Sequence, residues 1–213
     1  MIALSNAIDD FYRAFADVAV PRHIDGCPCC IDSNRVPHLL TTPLREILPT
    51  DLAPYASSAL LTVGDVSDYL YFLPRIMEIS IRDDSWWPDI EVTGRAIHST
   101  DLKAWPSKRR GALMSLLKAV IENIVDSGSY WQIDGWLCAI ARMELDVGPY
   151  LAIIEPNSAA VLQYFEDNAK CLRADTLSNA FWELPNSGHD QIVQWFKSEA
   201  IRAIPFQAYG YAD

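Results

Sequence analysis

The stretch that decides the fold class is residues 107–126, SKRRGALMSLLKAVIENIVD. Apolar side chains recur along it every three or four residues, while Lys118, Glu122 and Asn123 occupy the opposite face. This spacing is typical of an amphipathic helix with one buried side. Gly128 follows directly, and glycine is a common residue just past the end of a helix. The stretch therefore predicts a long helix that packs one face against a core.

Apolar residues with the same period recur on the C-terminal side of this stretch. Residues 133–140, 161–169 and 192–201 repeat the pattern, and short polar breaks separate the segments. The period also predicts a helix through Leu177, Ala180, Phe181 and Leu184. We therefore predict a mostly α fold of stacked antiparallel helical hairpins. It forms one domain over residues 1–213, with a candidate subdomain junction near residues 100–107.

The N-terminal half adds four local expectations. Asp65 is expected to begin a helix with Asp68 in its first turn, where a carboxylate complements the helix dipole. Pro74 is expected to kink or break that helix because it lacks a backbone N–H. Residues 83–95, DDSWWPDIEVTGR, contain turn formers and are expected to form a long loop. Residues 90–93 are the one place where the pattern admits a short strand.

The composition favours a folded protein with a sizeable core. Half of the residues are hydrophobic, and the chain contains seven Trp, nine Tyr and seven Phe. No stretch approaches the roughly 20 apolar residues of a membrane helix, and residues 1–10 lack the basic start of a secretory signal. The five cysteines are an odd number and do not suggest a disulfide framework. We therefore expect a cytoplasmic protein that does not associate with a membrane.

The net charge of −11 bears on the kind of partner. An acidic surface repels nucleic acid and attracts a cationic protein, although many cytoplasmic proteins are acidic simply because charge keeps them soluble. Residues 103–110 contain a local excess of positive charge, which is the kind of patch that binds nucleic acid. Because the chain as a whole is acidic, they argue only weakly for that function.

A cluster of cysteines lies in a loop expected over residues 22–41. The potential metal ligands in this N-terminal Cys-rich loop are His23, Cys27, Cys29, Cys30 and His38. Zinc takes four thiolate or imidazole ligands in a tetrahedron, so this set makes zinc a candidate cofactor. The alternative is a tight turn of reduced thiols without metal. CPCC also resembles the CPxC motif of glutaredoxins, but the residues after it are poor helix formers and no βαβ pattern surrounds it.

Two adjacent tryptophans stand among acidic residues between the predicted helices. The set with the composition of a partner-binding surface is Asp83, Asp84, Trp86, Trp87, Asp89 and Glu91. Tryptophan and tyrosine are common anchors of protein interfaces. The alternative is that one tryptophan fills the core while its neighbour is half covered, because tryptophan is well buried on average.

The chain contains no complete catalytic signature. It lacks a GxSxG elbow, an HExxH helix, a GxxxxGK loop and a GxGxxG turn. His189 and Asp190 resemble an acid–base pair, but such residues more often cap or polarise the start of a helix. A triad whose members converge only in space stays open. We therefore assign no catalytic residue.

Two short motifs support a resemblance. Residues 26–30 (GCPCC) and 71–75 (YFLPR), together with an acidic, Trp-containing helical C-terminal half, resemble small bacterial proteins that look like immunity proteins of polymorphic or type VI secreted toxins. The resemblance covers most of the chain. It implies a non-enzymatic protein that binds and occludes a cationic toxin domain, and it transfers no functional residue. The alternative is a metal-dependent enzyme or sensor organised around the histidines and cysteines of the N-terminal loop.

Overall fold

The computed structural model describes residues 3–32 and 34–210, and these residues are mostly helical. Their α-helices are α1 (Leu4–Ala14), α2 (Val36–Thr41), α3 (Pro49–Ser58), α4 (Val66–Arg82), α5 (Ile90–His98), α6 (Ser107–Ser127), α7 (Ile133–Arg142), α8 (Gly148–Ile154), α9 (Ser158–Leu172), α10 (Ser187–Lys197) and α11 (Glu199–Tyr209). Short 3₁₀ helices occupy Leu44–Glu46, Leu102–Ala104 and Tyr130–Gln132. Pairing of the β type in the described residues is limited to isolated bridges. The predicted mostly α fold is confirmed.

Contacts between residues divide the chain into two compact units, Met1–Leu116 and Leu117–Asp213. The division falls inside α6 and not in residues 100–107, where the sequence suggests a junction. The boundary is hidden from the sequence because α6 is one continuous helix with an unbroken apolar period. None of the described helices has an apolar stretch long enough to cross a bilayer.

The core of the first unit lies among α1, α3, α4 and α5. Helix α4 contacts each of the other three, and α3 also contacts α5. Phe11, Tyr55 and Phe72 are almost completely buried there. The ring centroids of Tyr55 and Phe72 lie 4.8 Å apart with tilted planes, which is a favourable aromatic geometry.

Helix α4 begins with a reciprocal capping box. The Asp65 carboxylate accepts a hydrogen bond from the Asp68 backbone N–H at 3.0 Å, and the Asp68 carboxylate accepts one from the Asp65 backbone N–H at 3.2 Å. The expected start of this helix is confirmed. Pro74 does not break the helix, so that part of the expectation is wrong. Phe72 and Ile76, on either side of it, are fully buried, and tertiary packing outweighs the loss of one backbone hydrogen bond.

The loop after α4 is shorter than the sequence suggests. Residues 90–93 form the first turn of α5 and not a strand, and only residues 83–89 remain irregular. Thr93, Ala96 and Ile97 are buried, and their spacing of three and four residues is helical. The turn formers before Ile90 interrupt the apolar period, so residues 83–95 taken as a whole do not indicate a helix.

The second unit has its core among α7, α9, α10 and α11. Helix α10 contacts α7 and α11, and α9 contacts α11 and the 3₁₀ helix Tyr130–Gln132. Tyr164 of α9 and Phe196 of α10 are buried with their ring centroids 5.0 Å apart. The helices predicted from the apolar period of residues 133–140 and 161–169 are confirmed. Residues 192–201 do not form the single helix predicted, because α10 ends at Lys197 and α11 begins at Glu199, with Ser198 in an extended conformation between them.

The predicted helix through Leu177, Ala180, Phe181 and Leu184 is wrong, because residues 173–186 contain no helix. The Asn179 side chain accepts a hydrogen bond from the Phe181 backbone N–H at 2.8 Å, which stabilises a turn at the expense of a helix. The buried Asn168 side chain accepts another from the Ser178 backbone N–H at 2.7 Å. Pro185 further disfavours a helical conformation for the residue before it. Local polar contacts thus override the apolar period.

We predict that Asp65→Ala lowers the free energy of unfolding by about 1 kcal/mol, the usual cost of losing an N-cap side chain. Hydrogen bonds from the Ser67 hydroxyl and the Asp68 backbone N–H hold the pKa of Asp65 below its ordinary value. The stabilisation that the Asp65 carboxylate provides is fully present above its unfolded pKa of about 3.9. It is lost as the pH falls through the lower pKa of the folded state. Urea unfolding at pH 7 and at successively lower pH values tests both expectations.

The matched control is Asp89→Ala. Asp89 occupies the N-cap of α5, but its side chain makes no capping hydrogen bond. Its loss should therefore change the free energy of unfolding by less than about 0.5 kcal/mol. Equal effects of the two substitutions would contradict the role assigned to the capping box.

Candidate functional site

The cysteine loop, which we define as residues 24–31, is fixed to the turn between α3 and α4. The Cys27 backbone N–H donates to the Thr62 carbonyl at 2.9 Å, and the Gly64 backbone N–H donates to the Asp25 carbonyl at 2.7 Å. Both ends of the loop are also buried, at Ile24 and Ile31. The loop is therefore held by its backbone and its apolar ends, which leaves the side chains between them to serve another purpose.

Gly26 is required where the loop crosses that turn. It forms a β-bridge with Val63. A Cβ at this position would lie 3.0 Å from the Val63 Cγ2 atom and 3.2 Å from the Ile31 Cγ2 atom, closer than ordinary van der Waals contact. The close approach of the two backbones explains why the residue before the first cysteine has no side chain.

The three thiols of the loop converge. The Sγ atoms of Cys27 and Cys29 are 2.7 Å apart, those of Cys29 and Cys30 are 3.7 Å apart, and all three lie within 4.8 Å of one another. All three cysteines are free, with Cys29 exposed and the other two partly exposed. Such a group of soft ligand atoms can hold a metal ion. The sequence prediction that these three cysteines form one cluster is confirmed.

The thiols differ in acidity because of where their hydrogen bonds lie. The hydrogen bond between the Cys29 and Cys27 sulfurs lowers the pKa of the Cys27 thiol. The same hydrogen bond to Cys27 raises the pKa of Cys29 to about 11. Of these two thiols, Cys27 therefore loses its proton more readily, and the thiolate is the form in which cysteine binds metals.

The two histidines are not brought into the thiol cluster. The His23 Nε2 atom lies 3.2 Å from a carboxylate oxygen of Asp25, and the His38 Nε2 atom lies 3.2 Å from one of Asp51. The other ring nitrogen of His38 is 3.3 Å from the Thr42 hydroxyl. Among the described residues, the group of converging metal ligands consists of the three cysteines alone. The predicted five-residue ligand set is thus reduced to three thiols.

The second candidate site, residues 83–91, divides into buried and exposed side chains. Trp86 and Glu91 are buried, at 9% and 5% exposure, so neither lies on the accessible surface as predicted. Trp86 lies in the chain between the end of α4 and the start of α5, and Glu91 lies in the first turn of α5. The alternative stated for the tryptophan pair, with one in the core and its neighbour outside, fits the structure.

The remaining members form an exposed turn, which we call the Trp87 turn (residues 83–89). The Trp87 side chain is 61% exposed, and the carboxylates of Asp84 and Asp89 are on the surface beside it in the chain. The Asp83 carboxylate accepts hydrogen bonds from the Ser85 backbone N–H at 3.0 Å and the Ser85 hydroxyl at 2.6 Å. An exposed indole thus lies on a turn that is fixed by its own hydrogen bonds.

The basic residues between 103 and 110 make contacts within the first unit. Arg109 forms an ion pair with Asp17 at 2.9 Å and lies over the Phe15 ring. The Lys108 ammonium donates to the Arg13 carbonyl, and the Arg110 guanidinium donates to the Lys103 carbonyl. These cations thus hold separate segments of the first unit together.

A buried carboxylate in the second unit escaped the sequence analysis. The Tyr164 hydroxyl donates to Asp134 at 2.7 Å. Burial raises the pKa of Asp134, and hydrogen bonds from the side chains of Tyr164 and Asn179 oppose that rise. The contact with Asn179 ties residues 173–186 to α7, and the contact with Tyr164 ties α7 to α9. A single aspartate on an apolar helix was the only sequence signal for it.

His189 and Asp190 are in contact but do not form an exposed pair. The His189 Nδ1 atom lies 3.2 Å from a carboxylate oxygen of Asp190, while the imidazole is buried at 2% exposure beside the Trp182 ring. Helix α10 is capped by Asn186, whose side chain accepts from the backbone N–H groups of Gly188 and His189.

No protein-family model, curated protein or solved structure matches this chain. Function must therefore be argued from the two sites themselves, the cysteine loop and the Trp87 turn.

We predict that Gly26→Ala destabilises the first unit by about 1–3 kcal/mol, the usual cost of forcing a methyl group into a packed site. The matched control is Gly111→Ala, because a Cβ there meets nothing within 4 Å. Gly111 lies within α6, so its replacement should raise stability by up to about 1 kcal/mol. Thermal unfolding of both variants measures the contrast, and an unchanged melting temperature for Gly26→Ala would contradict the close approach of the cysteine loop.

Proposed function

We propose that this chain is a non-enzymatic protein-binding module, specifically a bacterial immunity protein that binds and occludes a cationic toxin domain in the cytoplasm. The observation that carries the proposal is the exposed Trp87 indole, flanked in the chain by the surface carboxylates of Asp84 and Asp89. An isolated exposed apolar residue is ordinary on a protein surface. A tryptophan is the residue type that most often dominates the binding energy of an interface.

The way the Trp87 turn is held supports this proposal. The two neighbours of Trp87, Trp86 and Pro88, are both buried and fix the backbone on either side of the exposed ring. The Asx turn from Asp83 to Ser85 adds hydrogen bonds at the start of the segment. A side chain on a fixed backbone loses less conformational entropy when it binds. The turn thus has the rigidity expected of an interface anchor.

The charge of the chain supports a cationic partner. The net charge is −11, and a negative surface speeds the encounter with a basic protein by long-range attraction. Exposed carboxylates at the rim of an interface act mainly on the association rate, while a buried aromatic anchor slows dissociation. We therefore assign steering to Asp84 and Asp89 and retention of the complex to Trp87.

A cytoplasmic location agrees with the state of the cysteines. All five are free thiols, the form expected in a reducing compartment. The converging thiols of the cysteine loop would be accessible to metal ions there.

A second candidate function, a metal-dependent sensor or enzyme, is favoured by the convergence of Cys27, Cys29 and Cys30 within 4.8 Å. Zinc is the ion for this function if a histidine leaves its carboxylate and becomes the fourth ligand, since zinc sites are usually tetrahedral. His23 and His38 are the residues that the sequence offers for that position. The ion would hold the loop in one conformation, and its loss or gain would be the signal.

We predict that Trp87→Ala weakens binding to the proteins encoded beside this chain in its genome by about 30-fold or more, the effect of removing an interface anchor worth about 2 kcal/mol. The double variant Asp84→Asn/Asp89→Asn should lower the association rate by several-fold at low salt, with a smaller effect at high salt because ions screen exposed charges. Surface plasmon resonance at two salt concentrations separates the two effects.

The matched controls lie in the second unit. Trp131 has the same 61% exposure as Trp87, and Asp126 and Glu199 are exposed acids. Trp131→Ala and Asp126→Asn/Glu199→Gln should leave the kinetics near those of the unmodified protein. A complex that forms equally well with and without the Trp87 indole would refute the assigned surface. Equal losses from the two tryptophan substitutions would show a general effect of surface aromatics.

A further inference from the structure

We propose that Cys27, Cys29 and Cys30 form a three-thiolate site for copper(I), with no histidine ligand. This inference rests on the second candidate function, a metal site in the cysteine loop, and specifies its ion and coordination. It does not depend on the Trp87 turn. Four features of the loop support the site: the number of ligands, their chemical type, their spacing and the fixed backbone that presents them.

The number of converging ligands is three. Both histidines near the loop have an imidazole nitrogen 3.2 Å from a carboxylate oxygen, at Asp25 and Asp51. The thiols alone converge within 4.8 Å among the described residues. A structural zinc site is usually closed by four protein ligands, so zinc here would be left with a position for water. Copper(I) has a filled d shell and is satisfied by three thiolates in a plane.

The chemical type of the ligands also favours copper(I). Three thiolates without imidazole or carboxylate form a uniformly soft set, and soft sets select copper(I) over harder ions. Each thiol gives up its proton when it binds the ion, and no change of oxidation state is needed.

The spacing of the sulfur atoms suits a single ion. A metal–sulfur bond of about 2.3 Å in a tetrahedral site places neighbouring sulfurs about 3.8 Å apart, and a planar three-coordinate site requires a similar separation. Cys29 and Cys30 already have their sulfurs 3.7 Å apart. Cys27 and Cys29 are closer, at 2.7 Å, and must separate by roughly 1 Å around an ion of that size. Side-chain rotation of the exposed Cys29 can provide this.

The backbone of the loop is arranged before any ion binds. The Cys27 carbonyl accepts hydrogen bonds from the backbone N–H groups of Cys30 at 2.9 Å and Ile31 at 3.1 Å, which turns the chain back on itself. The hydrogen bond from the Cys27 backbone N–H to Thr62 fastens that turn to the body of the first unit. All three sulfurs thus come from one short loop, with exposed Cys29 open to incoming metal.

The test titrates the full chain with copper(I), supplied anaerobically as its acetonitrile complex, against a chromogenic copper(I) chelator and in an excess of reduced glutathione. We expect one tightly held copper(I) ion per chain. X-ray absorption should show three sulfur ligands and no nitrogen. Cys27→Ser, Cys29→Ser and Cys30→Ser should each weaken binding by more than about 10-fold, since losing a direct ligand costs at least as much as losing an outer-shell contact.

The controls separate this inference from the broader candidate. Cys171→Ser removes a partly exposed thiol outside the loop and should leave binding unchanged, as should His23→Ala/His38→Ala. A parallel zinc titration that shows tight binding lost in the double histidine variant would overturn the three-thiolate copper site and leave a metal site standing. Failure to retain either metal against glutathione would refute both. Circular dichroism confirms that each variant is folded.

Discussion

The constraint on which this structure depends is that every connection between helices must satisfy its own backbone hydrogen-bonding groups. A helix does this internally, but a connecting segment requires a partner. In the cysteine loop the partner is the turn after α3, through Thr62 and Gly64. In the Trp87 turn it is the side chain of Asp83. Both candidate sites therefore lie on irregular segments whose backbone is fixed, while the side chains that carry chemistry stay on the surface.

The two sites share one design. In each site a buried residue is next in the chain to a more exposed one. The buried residue fixes the backbone, and its neighbour presents the functional side chain on the surface. Trp86 is buried and Trp87 is exposed. Ile31 is buried, and the adjacent Cys30 is partly exposed next to exposed Cys29. Rigid presentation of this kind lowers the entropy lost when a partner or an ion binds. The proposed protein surface and the proposed copper site follow from the same physical principle applied to different side chains.

The sequence predicted the regular parts of the fold because their signals are local. Helix α6 repeats its apolar residues without interruption, and the start of α4 is marked by Asp65 and by Asp68 in the first turn. Segments decided by distant contacts were predicted less well. The apolar period around Phe181 describes a helix that side chains from α9 prevent, and Pro74 is tolerated inside α4 because the surrounding face is buried. Periodicity alone cannot weigh these tertiary contacts.

The candidate sites were predicted in composition but not in arrangement. The three cysteines are close in sequence, so their convergence follows from chain geometry, whereas the partner of His38 depends on where Asp51 lies in the fold. Which of two adjacent tryptophans is buried likewise depends on tertiary contacts.

The central claim, that the exposed indole of Trp87 is the anchor of a protein complex, is tested most directly by NMR of the tryptophan indole N–H groups during titration with the cognate toxin domain. The account predicts that the Trp87 resonance shifts while that of equally exposed Trp131 does not, and a saturated complex with an unshifted Trp87 resonance would contradict it.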